Sequence, residues 1–392
     1  MHADILIIGS GLAGYTLAKE IRRLSQDISI YILTQDDGAF YSKPLLSNSF
    51  SKHKSAESLA IKSAEMMAEE LDATVLPKET VLSIDRQRKS ISTSSQTITY
   101  QSLVLALGAS PRQLSLPEAI SDMTYSVNDL EDFAAFQKQL EDCKAPLVIG
   151  SGLVGCEFTN DLIKTGYALN VVSMDNYPLQ QLVPEKVGHR LQSQLESEGA
   201  HFHFNTRITS ARKENQQTIV SLESGTELPC DLVLSAAGLL PRTEIAKKAD
   251  LSVNHGIVVD TLLQTSEPDI YAFGDCAEIN GYVMMYIEPI FLSAKALAKT
   301  LTGTPTHVSF PAMPVLIKTP SLPLVCHPPL PSCEGKWQFE EQGNDIRAMF
   351  YDTGKQLKGF ALTGSFVRER MKLAKSLPGV FATPENSAGN GN

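Results

Sequence analysis

A glycine pattern that occurs twice limits what this chain can fold into more than any other feature. Gly9-Ser10-Gly11-Leu12-Ala13-Gly14 returns 141 residues later as Gly150-Ser-Gly152-Leu-Val-Gly155. In each copy an apolar segment comes first, Asp4-Ile-Leu-Ile-Ile and Pro146-Leu-Val-Ile, and a helix-forming segment follows. In such a strand, turn and helix start, the first glycine makes the tight turn and the second lets the backbone approach a pyrophosphate. The third lets the helix pack on the strand. The free N–H groups of the helix N-terminus then hold the phosphates. One such hexapeptide is weak evidence, whereas two in matching contexts imply two dinucleotide sites.

The spacing predicts helices over 12–24 and 153–165, each followed by a strand, 28–33 and 169–173, which completes two βαβ starts. Short alternating segments at 83–85, 89–93 and 97–100 lead into an apolar strand at 102–108. Their counterparts in the second half are 207–211, 218–222 and 231–238. A segment at 256–260, the run Asp269-Ile-Tyr-Ala-Phe-Gly-Asp275 and a helix over 289–302 are assigned back to the first half. Proline then becomes dense, from Pro305 through Pro311, Pro314, Pro320 and Pro323 to Pro331, and marks a boundary. The expected fold is α/β, with two Rossmann-like dinucleotide-binding domains, 1–112 with 250–308 and 113–249, and a small α+β C-terminal domain, 309–383. The remaining tail, 384–392, is expected to be disordered.

Bulk composition narrows the partners. Lys and Arg number 34 against 44 Asp and Glu, a net charge of -10 that disfavours nucleic acid and anionic membranes. No run of 18 apolar residues is present to span a bilayer, and Met-His-Ala-Asp leads directly into a strand, leaving no room for a secretory leader. A cytoplasmic location is expected. The six cysteines show no C-x-x-C spacing, so a redox dithiol is not expected. The eight histidines form no ligand cluster, and His201-Phe-His203 lacks a third ligand, so no metal is expected.

A carboxylate roughly 20 residues past the third glycine normally accepts the ribose hydroxyls. Here those positions hold Thr34 and Asp175. Thr34 departs from the pattern, although Asp36 and Asp37 lie close by. At the second site Asp175 repels a 2′-phosphate and no Lys or Arg stands between Asn170 and Glu185 to bind one, which favours NADH over NADPH.

Leu103-Val-Leu-Ala-Leu-Gly108-Ala, Val233-Leu-Ser-Ala-Ala-Gly238-Leu-Leu-Pro-Arg and Ile270-Tyr-Ala-Phe-Gly274-Asp275-Cys-Ala resemble the later motifs of the two-dinucleotide flavoprotein reductases, whose fold is that of glutathione reductase. The resemblance implies FAD in the first fingerprint and NADH in the second. It sets Leu33, Thr34, Val81 and Gly108 along the FAD, with Asp275 on its ribitol. A short strand that ends in Gly-Asp suits that role, because it aims a carboxylate at hydroxyls without obstruction. Tyr41-Ser-Lys43-Pro-Leu-Leu-Ser and Val315-Leu-Ile-Lys318-Thr-Pro-Ser-Leu-Pro narrow the likeness to the rubredoxin-NAD reductases of alkane-oxidising bacteria, over nearly the whole chain. This implies that Lys43 and Lys318 lie near the flavin. It also implies that Glu157 faces nicotinamide and flavin, where a Lys43–Glu157 pair tunes charge during hydride transfer. Glu157 also suits the start of a helix, where the dipole favours an acid. Lys318 in an apolar strand is costly unless it meets a partner. The helix opened by Tyr286-Ile287-Glu-Pro points its positive end at the flavin.

The activity implied is hydride transfer from NADH to FAD and release of single electrons to rubredoxin for alkane hydroxylation, in a monomer or a homodimer. Three other readings share these residues: a reductase of flavorubredoxin or ferredoxin, a flavin hydroxylase, and an NADH-responsive binding protein similar to apoptosis-inducing factor. The acceptor is read by surface residues that carry no motif, with Lys43, Lys52, Lys54 and Lys318 as candidates for a basic docking patch.

Overall fold

The computed structural model describes residues 1–214 and 217–381, and the chain divides into two compact units. Unit 1 comprises Met1–Ser42, Ala60–Ser110 and Leu239–Phe310; unit 2 comprises Lys43–Leu59, Pro111–Gly238 and the chain from Pro311 onward. The segment after Pro384, expected to be disordered, lies outside the described residues.

Unit 1 is built on a sheet whose parallel part runs Thr74–Leu76, Ile30–Leu33, His2–Ile8, Thr97–Leu105. Ile270–Ala272 joins Thr97–Leu105 in parallel, and the antiparallel strands Ser90–Thr93 and Val81–Asp85 complete the sheet. Its central strands are continuous apolar runs because both faces are covered, with Leu6, Ile7, Leu103, Val104 and Leu105 at 0% exposure. The expected separate strands at 97–100 and 102–108 are one strand, Thr97–Leu105. The reason is register. His2–Ile8 pairs along its whole length, from Thr99 to Leu105, while the other edge is shared between Ser90–Thr93 at one end and Ile270–Ala272 at the other.

In unit 2 a parallel sheet runs Ala200–His203, Leu169–Val172, Pro146–Ile149, Leu232–Ser235, Thr124–Tyr125. A three-stranded antiparallel sheet, Ile208–Glu214, Gln217–Leu222 and Glu227–Cys230, packs Val220, Leu222 and Leu228 against Leu147 and Val233. After Pro311 comes a five-stranded antiparallel sheet in the order Val315–Ile317, Leu324–His327, Leu357–Thr363, Asp345–Asp352, Gly335–Gln342. Val325, Phe360, Leu362 and Phe366 form its core.

The helices of both fingerprints begin where the glycine spacing predicts, Leu12–Leu24 and Leu153–Lys164. The later helix is Ile287–Leu301, two residues longer at its start than expected, with Tyr286 as N-cap. Pro289 is tolerated there because the first turn has no intrahelical N–H bond to lose.

Candidate functional site

Each glycine of the two fingerprints has a separate physical reason, and both copies show the same three. Gly9 and Gly150 have φ of +115° and +106°, and a Cβ on either would lie 2.2 and 2.5 Å from the carbonyl oxygens of Ala106 and Ala236. A Cβ on Gly14 or Gly155 would lie 1.9 or 2.0 Å from the carbonyl oxygens of Gly9 and Gly150, so helix could not close on strand. Gly11 and Gly152 meet nothing within 4 Å. The middle glycine therefore opens outward at the helix N-terminus. Neither helix carries a side-chain N-cap or an acid in its first turn to compete for the free N–H groups. Two diphosphate groups fit these cradles.

Around the first cradle, unit 1 assembles most of the residues the sequence singles out. Leu12 and Ala13 open the helix, and a Cβ on Gly274 would sit 3.2 Å from Ala13 and 4.0 Å from Ile290. The Gly274-Asp275 turn thus meets both the first helix and the helix that starts at Ile287. Gly108 has φ +68°. Its segment is fastened by Arg242, which the sequence did not mark: the Arg242 N–H donates to the Gly108 carbonyl at 3.0 Å and its Nε to Ser110 Oγ at 2.7 Å.

The strand ends of the two cradles can be brought into register. Gly9 N–H bonds to the Leu33 carbonyl at 2.8 Å and Gly150 N–H to the Val172 carbonyl at 2.9 Å, so Leu33 and Val172 are structural equivalents. Counting on from them, Thr34 matches Ser173, and Asp36 matches Asp175. The connection after the first helix is two residues longer, which is why a fixed spacing lands on Thr34. Side chains agree with the register. Ser10 Oγ donates to Asp36 Oδ1 at 3.4 Å, as Ser151 Oγ does to Asp175 Oδ2 at 3.3 Å. Asp36 Oδ1 also takes Thr34 Oγ1 at 2.6 Å and Gly38 N–H at 2.9 Å. The Thr34 hydroxyl is thus held on the Asp36 carboxylate. Glu79 N–H bonds to the Thr34 carbonyl and Lys78 N–H to that of Asp36, which brings the start of Val81–Asp85 to the same corner.

Unit 2 holds the second cradle, with Asp175 bonded to Ser151 and Ser173 and with Gly238 at φ +100°. Its fingerprint helix has an unusual buried polar stripe. Glu157 is 1% exposed, and as the fifth helical residue it lies beyond the first turn, so the helix dipole does not account for it. Its Oε2 accepts Ser47 Oγ at 2.6 Å and pairs with Lys318 Nζ at 2.6 Å, while its Oε1 accepts the Lys318 N–H at 2.9 Å. A cation paired with Glu157 is thus Lys318, just past the strand Val315–Ile317. Lys318 Nζ also donates to Ser47 Oγ and to the Pro44 carbonyl. Lys43 opens the 3-10 turn Lys43–Asn48, in unit 2 with Glu157, although its chain neighbours before Ser42 belong to unit 1. Burial and the Asp129 carboxylate push the Asp132 carboxyl up, while the backbone N–H groups of Asn128 and Asp129 and, less strongly, the Lys43 ammonium pull it partway back.

Further along the same helix, Asn160 Oδ1 accepts the Ser321 N–H at 3.1 Å, and Asp161 accepts the N–H groups of Phe50 and Ser51 at 2.7 and 3.2 Å. Burial raises the Asp161 carboxyl while these donors and the Ser51 hydroxyl lower it. Ser47, Asn160 and Asp161 were not legible as site residues, since their partners come from segments far away in sequence. The cysteines are free thiols; burial pushes Cys276 up to about 11 and Cys326 up to about 12, so neither is a ready thiolate at neutral pH.

Fold and site together define a two-dinucleotide oxidoreductase. Residues 3–296 match the family described as pyridine nucleotide-disulphide oxidoreductase, and residues 307–377 match a rubredoxin binding C-terminal domain. A rubredoxin-NAD(+) reductase of Alcanivorax borkumensis is 42% identical, with 97% of this chain and 100% of the relative covered. A nitric oxide reductase FlRd-NAD(+) reductase of Vibrio vulnificus is 38% identical over 96% of this chain and 98% of its own length. Among solved structures, a ferredoxin reductase from Rhodopseudomonas palustris superposes with a TM-score of 0.86 at 25% identity, covering 96% of this chain and 95% of that one. The chain belongs to the pyridine nucleotide-disulphide oxidoreductase family and stands within it among the rubredoxin-NAD(+) reductases.

Proposed function

We propose that the chain takes hydride from NADH onto FAD and passes single electrons to rubredoxin, which in turn feeds an alkane hydroxylase in the cytoplasm. The observation that carries the reading is the union, in one chain, of two fitted diphosphate cradles and a C-terminal segment matched to a rubredoxin binding domain. That segment, 307–377, carries nine Lys and Arg against six Asp and Glu, in a chain of net charge -10. It therefore suits an acidic partner better than the rest of the surface does. Among the described residues no helix is long and apolar enough to cross a membrane.

When bound, FAD supplies the conversion of a two-electron donor to one-electron steps. In this reading residues 1–112 with 250–308 form the FAD-binding domain, 113–249 the NADH-binding domain and 309–383 the acceptor-side domain. The helix N-termini at Gly11 and Gly152 hold the diphosphates, Asp36 and Asp175 accept ribose hydroxyls, and Asp275 accepts from the ribitol. Val81 lines the adenine side and Ile287 presents a helix N-terminus to the flavin. Glu157 with Lys318 keeps a neutral ion pair, and Lys43 a positive charge, beside the reacting rings. With no dithiol to carry them, electrons leave directly from the flavin.

The test is anaerobic reduction by NADH followed by titration with oxidised rubredoxin, reading the flavin absorbance. Bleaching by NADH and stoichiometric recovery on adding rubredoxin are expected. Recovery with a flavodiiron partner or ferredoxin, and none with rubredoxin, moves the chain to another branch of the same family. A separate expectation concerns the ribose acceptor of the first cradle. Asp36→Asn weakens FAD binding to the apoprotein by about tenfold or more, the scale of a lost charge-assisted hydrogen bond. Thr34→Val, which removes only an orienting hydroxyl, weakens it less. The reverse ranking in fluorescence titrations would restore Thr34 as the primary acceptor.

A further inference from the structure

The Lys318 ammonium ties together two segments that each expose a large aliphatic side chain, Leu45 at 42% and Leu316 at 58%. In a 3-10 turn, residues three apart share an edge. Pro44 and Ser47 take the inner edge of Lys43–Asn48, where the Pro44 carbonyl and the Ser47 hydroxyl meet Lys318. Leu45 and Asn48 share another. Asn48 Oδ1 accepts Lys52 Nζ at 2.9 Å, which carries that edge into the exposed run Lys52-His53-Lys54. On the other segment, Leu316 belongs to Val315–Ile317, an edge strand of the C-terminal sheet, and precedes Lys318 by two residues. Beneath both segments the buried Glu157 carboxylate holds Ser47 and Lys318 in place, so the leucines stand on a fixed support.

Single exposed leucines are ordinary, but two on segments locked together by one ammonium, with lysines at the margin, have the make-up of a small transient interface. Such interfaces have an apolar centre and a charged rim. We propose that Leu45 and Leu316 form the apolar centre of the face on which rubredoxin docks, with Lys52 and Lys54 as its basic rim. This deepens the functional reading and rests on rubredoxin being the acceptor. Two observations select the occupant: Leu316 lies inside the residues matched to the rubredoxin binding domain, and the turn that carries Leu45 runs on into the exposed cations Lys52 and Lys54. A competing face exists on the same domain, where Arg368, Arg370, Lys372 and Lys375 are exposed around Met371. It has no tie to the Glu157–Lys318 pair that the reading assigns to the flavin's surroundings, and it serves as the alternative in the test.

The experiment compares steady-state reduction of rubredoxin and of ferricyanide, a small ion that needs no protein face, by the FAD-loaded enzyme with NADH in excess. For Leu45→Ser/Leu316→Ser, kcat/KM for rubredoxin falls about tenfold or more, the scale of losing an interface hot spot, while ferricyanide turnover stays within about twofold. Lys52→Glu/Lys54→Glu slows rubredoxin mainly at low ionic strength and flattens its salt dependence. Should the serine pair melt early, Leu45→Gln/Leu316→Gln repeats the test with the side-chain bulk retained. Rubredoxin kinetics within about twofold of the parent in the leucine variants overturn the proposal, as does a loss confined to Arg370→Glu/Lys372→Glu. A parent enzyme that reduces ferricyanide and not rubredoxin removes the acceptor assignment itself, an outcome visible before any variant is made.

Discussion

Asp175→Ala combined with Asn176→Arg is expected to move the cofactor preference from NADH towards NADPH by two to three orders of magnitude in the ratio of kcat/KM values. A 2′-phosphate placed about 4 Å from a carboxylate meets a repulsion of about 4 kcal/mol per unit charge at the effective dielectric of a protein surface. Each 1.36 kcal/mol is about a factor of ten, and screening at the half-exposed Asp175 trims the upper figure. Removing the acid abolishes the repulsion and the hydrogen bonds to the ribose diol together, so NADH loses while NADPH gains. The arginine then adds a bidentate partner for phosphate. Ser151 Oγ and Ser173 Oγ remain bonded to each other at 2.8 Å, so the strand end survives the loss of Asp175. Steady-state kinetics with both nucleotides decide the matter, and an unchanged ratio would remove Asp175 from the ribose site.

The second large effect lies at Lys318. Lys318→Met leaves the Glu157 carboxylate, 1% exposed, without its cation. Removing one partner of a buried pair costs about 3–5 kcal/mol, far more than an exposed ion pair is worth. Lys318→Met/Glu157→Gln removes both charges, and the amide of Gln keeps its carbonyl for the Lys318-position N–H or the Ser47 hydroxyl. The double variant is therefore expected to recover most of the stability lost by the single one, a coupling that a double-mutant cycle in denaturant measures directly. Equal destabilisation by the single and the double variant would mean that packing of the lysine stem, and not charge pairing, is what the position supplies.

The parts of this molecule that obey a local rule were legible, and the parts that depend on distant partners were not. Each fingerprint contains its own reason for turning, opening and packing within six residues, so helix starts at Leu12 and Leu153 could be read directly. The high cost of a lysine in Val-Leu-Ile-Lys318 was legible too, since burial of an ammonium needs no structure to be recognised as expensive. Its partner was not, because 161 residues separate Lys318 from Glu157 and no spacing rule joins them. The same holds for Ser47, 110 residues from Glu157. The register of Asp36 was illegible for a subtler reason. A count from the glycines assumes a connection of fixed length, whereas the hydrogen bond from Gly9 to Leu33 measures position along the strand itself. Thr97–Leu105 was split by its polar Gln101 and Ser102, which tertiary pairing on both edges overrides.

The polar stripe on Leu153–Lys164 has a consequence for recombination among relatives. Glu157 and Asn160, less than one helical turn apart, hold the backbone of Lys318 and Ser321, while Glu157 and Asp161 hold the segment from Ser47 to Ser51. A chimera that exchanges only the chain after Pro311 would bring foreign residues to the positions of Lys318 and Ser321 and so disturb the partners of two buried side chains, Glu157 and Asn160. The C-terminal module is therefore expected to be inherited as a set with two residues of a helix that begins about 160 positions earlier, Glu157 and Asn160. Crossovers that respect this linkage are the ones expected to leave a foldable protein, and acceptor specificity in this family is expected to travel with the helix Leu153–Lys164.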